Sequence, residues 1–136
     1  MVTIPGCILL PMSERPAILV VDDEPSVLLT YSMILRHSGY RVIGVATARE
    51  AKVVLAEERF DMLVCDLALE GRRSGMEVLD FARARYPGIP AVLLTGYADR
   101  ELGEETERKR ITLLSKPIEV KGLMATIGKL ARQQSA

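Results

Sequence analysis

Short apolar runs alternate along this chain with segments in which apolar residues return every three or four positions. The first run, Ala17–Val21, is unbroken, as expected of a strand buried on both faces. Val27, Leu28, Tyr31, Ile34 and Leu35 then keep a helical stripe, with Pro25 suited to its first turn and Gly39 to its end. Residues 41–46 read as a second strand. Thr47 and Glu50 have capping-box spacing before a helix that turns Ala51, Val54 and Leu55 inward and stops near Arg59. Residues 62–65 make a third strand that ends on Asp66. A loop from Leu67 to Ser74 leads into a third helix, from Gly75 through Tyr86, closed by Pro87 and Gly88. Residues 89–94 and 111–114 are the fourth and fifth strands. The last helix spans about 119–132, with Leu123, Ile127 and Leu130 on one face.

Two regions lack this patterning. Residues 1–16 read as an N-terminal extension in which Pro5, Pro11 and Pro16 break any regular element. Residues 98–110 are rich in Glu and Arg, and Leu102 is almost their only large apolar residue. They are expected to be a weakly anchored, solvated helix or partly loop, and the most mobile segment. Residues 17–132 form one domain, and the tail 133–136 is expected to fray.

Five strands alternating with five helices imply βαβ units, hence a parallel sheet covered on both faces. With right-handed crossovers the doubly wound order 2-1-3-4-5 is the simplest candidate. Each strand would then deliver its last residue to one edge: Asp22 and Asp23, Asp66, Thr95, and Lys116. Ligands of open parallel sheets bind at that edge.

Bulk composition narrows the field. Lys+Arg and Asp+Glu balance at 18 each, so there is no global electrostatic case for direct nucleic-acid binding. No apolar run approaches the roughly 20 residues of a membrane span. Cys7 and Cys65 have neither metal nor redox spacing, Cys65 reads as a small buried hydrophobe, and the chain reads as cytoplasmic.

The converging groups suggest phosphoryl chemistry. Packed carboxylates repel unless a cation shares the site, and hard oxygen ligands suit Mg²⁺ completed by a phosphate. Lys116 adds a fixed positive charge that would keep Asp66 ionised. Asp66 is then a nucleophile placed for phosphorus, giving an aspartyl phosphate. Thr95 and the backbone N–H groups after Asp66 can bind phosphoryl oxygens.

Over about residues 17–131 the chain resembles the receiver domain of two-component response regulators. The resemblance rests on Ile18 to Glu24, Val64-Cys65-Asp66, Ser74 to Leu79, Leu93 to Tyr97, and Leu114 to Pro117, in order and on matching strand ends. It implies a flavodoxin-like (βα)5 fold. It also implies a phosphorylation switch in which Asp66 accepts phosphoryl from a histidine kinase or a histidine phosphotransfer protein. Asp23 would be a direct Mg²⁺ ligand, Asp22 its neighbour partly through water, and the backbone carbonyl of Ala68 a further ligand. The Lys116–Pro117 bond is cis in the family. A downstream protein target is implied, and a homodimer is left open.

The chain also departs from the family pattern. The loop after Asp66 lacks the usual proline and is one residue longer before Gly75. Leu113 stands where many receivers carry the Tyr or Phe that turns with the Thr95 position. No output domain follows, so a stand-alone receiver, or one excised from a hybrid kinase or larger regulator, is expected. The rival reading is a pseudo-receiver that acts only as a protein–protein adaptor. A haloacid dehalogenase-type phosphatase would need an aspartate where Ala68 stands. His37 reads as a surface residue at a helix C-terminus.

Overall fold

The computed structural model describes residues 10–135; Cys7 and the rest of the first nine residues lie outside them. The strands are β1 (Ala17–Val21), β2 (Arg41–Val45), β3 (Met62–Asp66), β4 (Ala91–Thr95) and β5 (Thr112–Ser115). They form one parallel sheet in the order β2-β1-β3-β4-β5. The helices are α1 (Pro25–His37), α2 (Ala48–Glu57), α3 (Gly75–Arg85), α4 (Arg100–Arg108) and α5 (Val120–Ser135).

Every residue of β1, β3 and β4 is buried, which is why their sequences are unbroken apolar runs. Successive side chains point to opposite faces and build two cores. Leu19, Val21, Leu63, Cys65 and Leu93 pack with Ala51, Leu55, Val78, Leu79 and Leu102, from α2, α3 and α4. Ile18, Val20, Val64, Val92 and Leu94 pack with Tyr31, Leu35, Leu123 and Ile127, from α1 and α5. Burying one such aliphatic side chain stabilises the fold by roughly 1.5–3 kcal/mol.

The helix ends follow the sequence signals. Pro25 occupies the first turn of α1, and Gly39, at φ 101°, turns the chain after it. Thr47 caps α2 by accepting from the Glu50 N–H at 3.0 Å. Glu50 reaches back to the Thr47 hydroxyl and the Ala46 amide, one residue before the amide that a capping box uses.

Four expectations need correction. Residues Met12–Glu14 form a 3-10 turn, although prolines were expected to exclude regular structure there. Pro11 sits just before it and supplies only its carbonyl, to the Glu14 N–H at 2.9 Å, so no proline N–H is needed. The strand pairing of β4 begins at Ala91, because Pro90 has no N–H and offers its carbonyl to Leu63. The fifth strand starts at Thr112, since the Ile111 N–H is spent on the Thr106 carbonyl, with Arg110 left-handed at φ 56°. Helix α5 continues to Ser135, across the tail expected to fray.

Segment 98–110 is a helix with identifiable anchors. Asp99 caps it by accepting from the Leu102 N–H at 2.8 Å. Leu102 is 2% exposed, and the buried Thr106 hydroxyl donates to the Leu102 and Gly103 carbonyls. Polar tethers replace the missing apolar stripe. Arg83 of α3 donates to the carbonyls of Ile89, Lys109 and Arg110. Lys109 bridges Asp80 of α3 at 3.1 Å and Glu105 at 3.2 Å. Among the described residues no helix is long and apolar enough to cross a membrane.

Because Leu102 is the main apolar anchor of α4, Leu102→Ala is expected to cost about 3 kcal/mol in urea unfolding. A cost below about 1 kcal/mol would mean that the Arg83 and Lys109 tethers alone hold the helix.

Candidate functional site

The sheet register brings the acids together. Val21 pairs with Cys65, so Asp22 and Asp66 leave adjacent strands side by side, with Asp23 one residue beyond. Asp66 pairs with Leu94, and Thr95 with Ser115, so Thr95 and Lys116 follow on the next strand ends. One carboxylate oxygen from each of Asp22, Asp23 and Asp66 lies within 4.8 Å of the others. Asp22 is 1% exposed and Asp66 5% exposed, whereas Asp23 is open to solvent.

Each carboxylate has one oxygen held by a donor of the protein. Asp22 Oδ1 accepts from the Glu24 N–H at 2.9 Å. Asp23 Oδ2 accepts from the Glu70 N–H at 2.9 Å. Asp66 Oδ2 accepts from Lys116 Nζ at 3.1 Å. Among the described residues the second oxygen of each makes no hydrogen bond. For Asp22 that atom, Oδ2, is fully buried, and its nearest countercharge is Lys116 Nζ at 3.9 Å.

Such a pocket is electrostatically incomplete. Burial pushes the Asp22 carboxyl above its ordinary value, and the charges of Asp66 and Asp23 push the same way, against the Glu24 amide and Lys116. Burial alone would lower the Lys116 ammonium. Its hydrogen bond to Asp66 and the charges of Asp66 and Asp22 outweigh burial and raise it. One ammonium thus faces three carboxylates. An all-oxygen donor set with a buried, unpartnered carboxylate oxygen fits a hard divalent cation such as Mg²⁺.

The walls of the pocket are tight. A Cβ on Gly75 would stand 2.2 Å from the Asp66 carbonyl oxygen and 2.7 Å from Leu67 Cα, so only glycine lets α3 start there. The Cys65 thiol lies beside the Asp66 and Gly75 carbonyls, and burial pushes its ionisation far up, so it is inert filling. The Lys116–Pro117 bond is cis.

Two expected groups are less directly engaged. Thr95 is buried, but its hydroxyl donates to the Tyr97 carbonyl at 3.0 Å and accepts from the Tyr97 N–H at 3.2 Å. Ala68 is exposed, between buried Leu67 and Leu69. Tyr97 is 77% exposed. Leu113 is half-buried against the core on the α3 and α4 side. His37 is exposed in the last turn of α1, as read from its position.

Sequence reasoning missed two contributors. Tyr31, read as core, is buried on α1 where the charges of Lys116, Asp22 and Asp66 all act on its hydroxyl. Glu70 acts through its main chain, and no side-chain pattern announces that.

The sequence profile of the response regulator receiver domain matches residues 18–128. This chain belongs to that family. The receiver is 30% identical over 127 residues to the transcriptional regulatory protein GlrR of Escherichia coli, a match covering 92% of this chain and 28% of that protein. It is 30% identical over 118 residues to the response regulator protein FleR of Pseudomonas aeruginosa, covering 86% of this chain and 25% of that protein. The chain therefore spans about a quarter of the length of the curated relatives it matches. Among solved structures, a CheY-like receiver from Methanospirillum hungatei superposes with TM-score 0.81 at 30% identity, covering 90% of this chain and 98% of that one. Chemotaxis protein CheY4 of Vibrio cholerae superposes with TM-score 0.77 at 28% identity, covering 85% of this chain and 98% of that one. Phosphorylation and Mg²⁺ are typical of receivers.

The raised Asp22 carboxyl sets a stability prediction for the metal-free receiver. Its proton is bound more tightly in the folded state, so ionisation at Asp22 costs stability at neutral pH. Asp22→Asn keeps an acceptor for the Glu24 amide and removes the buried charge. Its Tm at pH 7 is expected to lie ~3 °C above wild type by calorimetry. The gap should close as pH falls below the ordinary value of 3.8, where both states hold the proton. A lower Tm for the variant at pH 7 would mean that the carboxylate is net stabilising.

Proposed function

We propose that this receiver is a phosphoacceptor switch of a two-component phosphorelay, with Asp66 the acceptor. The observation that carries the reading is the Lys116 ammonium on Asp66 Oδ2 at 3.1 Å, with Asp66 Oδ1 free of hydrogen bonds. The free oxygen attacks phosphorus, and a P–O bond forms as the donor's P–N bond breaks. The donor imidazole leaves with the electron pair and remains as a neutral ring once its protons re-equilibrate with solvent. Asp22, Asp23, Asp66 and the Ala68 carbonyl would hold Mg²⁺. When bound, Mg²⁺ offsets carboxylate repulsion and the charge of the phosphoryl oxygens.

The chain's own groups do the rest. Lys116 holds Asp66 Oδ2 before transfer and can follow the negative charge onto a phosphoryl oxygen afterwards. Thr95 sits at the neighbouring strand end, and its hydroxyl must leave the Tyr97 carbonyl to reach a phosphoryl oxygen. That exchange couples phosphoryl occupancy to the β4–α4 loop. Leu113 cannot report it as an aromatic residue would. The activity is self-phosphorylation from a donor and loss of phosphoryl to water, not turnover of a separate substrate.

The proposed partners are a histidine kinase or histidine phosphotransfer protein upstream and a protein target downstream, in the cytoplasm. The proposed receiver unit is 17–132, with 1–16 an extension and 133–136 a tail. An adaptor that never takes phosphoryl would have no use for the acid set and Lys116, which weighs against that alternative.

Intact mass after incubation with a small phosphodonor tests the reading. One added phosphoryl group is expected with Mg²⁺, none after chelation, and none in Asp66→Asn. A folded, Mg²⁺-saturated wild type that gains no mass would leave the adaptor reading standing.

A further inference from the structure

The loop between β3 and α3 is pinned to the acid pocket by one main-chain bond, from the Glu70 N–H to Asp23 Oδ2 at 2.9 Å. Glu70 and Gly71 both lie in the left-handed region, at φ 57° and φ 74°. The Arg72 N–H closes the turn onto the Leu69 carbonyl at 3.0 Å. Two successive positive φ values inside a closed four-residue turn are the pattern of a type I′ turn, which favours Asn, Asp or Gly at both central positions. A glutamate there is held against its preference. The anchors around it are strong: Leu69 is fully buried, and the Ser74 hydroxyl donates to its carbonyl. The remaining hold is Asp23, from a different strand.

Asp23 is the one carboxylate of the three that is open to solvent, so packing does not fix its rotamer. Nothing but the Glu70 amide among the described residues hydrogen-bonds it. That bond takes Oδ2 and leaves Oδ1 free for the cluster in which one carboxylate oxygen of each of Asp22, Asp23 and Asp66 lies within 4.8 Å of the others. We infer that the main-chain N–H of Glu70 positions Asp23 for the cation, so that the turn at 69–72 and the ion site are one coupled unit. This rests on the cation-dependent reading above. Glu70 is a positioning residue, and its side chain has no part in the effect. The coupling is reciprocal: if the latched turn favours ion binding, ion binding favours the latched turn. The turn leads directly into Arg72 and Arg73, both exposed to solvent. Ion occupancy therefore orders the loop that carries these two exposed arginines.

Two substitutions separate the amide from the side chain. Glu70→Gly loses the carboxylate but keeps the N–H and suits φ 57°. Glu70→Pro also loses the carboxylate, and it removes the N–H and forbids positive φ. In Mg²⁺ titrations followed by amide NMR, Glu70→Gly should bind within about twofold of wild type. Glu70→Pro should bind about tenfold more weakly, the scale of one charge-assisted hydrogen bond. In wild type, saturating Mg²⁺ should slow hydrogen exchange at the Glu70 and Arg72 amides. A purely structural role for the turn would lower the melting temperature of Glu70→Pro and leave its Mg²⁺ affinity alone. Equal affinity in all three proteins overturns the inference and leaves the ion reading intact. No Mg²⁺ response anywhere in wild type overturns both. If Glu70→Pro fails to fold, wild-type exchange decides: increased protection at Glu70 supports the coupling, and unchanged protection refutes it.

Discussion

Three carboxylates and a single ammonium meet where the first, third and fifth strands end, and that imbalance of charge governs the rest of the receiver. Burying like charges is unfavourable unless each is held by donors or by a countercharge. Here every carboxylate has one oxygen satisfied and one kept free. The satisfied oxygens keep the apo fold tolerable. The free ones leave it wanting a cation. The fully buried strands supply the stiffness to hold such a pocket open, because Ile18 to Val21 and Leu63 to Cys65 cannot move without disturbing both cores.

The acids, Thr95 and Lys116 sit at strand ends, while the groups that hold Asp23 and Thr95 sit in loops. Lys116 arrives from β5, across the sheet from the acids of β1, so ionic contact with Asp66 also ties the sheet's middle to its edge. Thr95 belongs to the same row of strand ends but is turned toward Tyr97, so it describes a resting arrangement. The loops that carry Glu70 and Tyr97 meet the site through single hydrogen bonds of the main chain or of Thr95.

Most of this was legible in the sequence for one reason: strands buried on both faces and helices buried on one leave different marks. The unbroken runs at 17–21, 62–65 and 91–94 announced central parallel strands, and the polar residues that follow them announced the candidate site. What could not be read depends on main-chain geometry or on distant polar contacts. The helix at Arg100–Arg108 looked unanchored because its tethers are charged side chains of α3, not apolar residues of its own. The amide of Glu70 carries no signature in its side chain. The start of the fifth strand slipped by one residue because Ile111 gives its N–H to a helix end, a choice that hydrophobicity does not encode.

Gly75 has a mechanical consequence. Its lack of a Cβ lets the first turn of α3 rest against the Asp66 main chain, at a separation that leaves no slack. At the other end of α3, Arg83 grips carbonyls from the turns that lead into β4 and β5. The helix is thus a strut with both feet seated: one on the residue that would carry the phosphoryl group, one on the far end of α4. Its two ends are held by different means, the first by main-chain contact and the second by three hydrogen bonds of one guanidinium group.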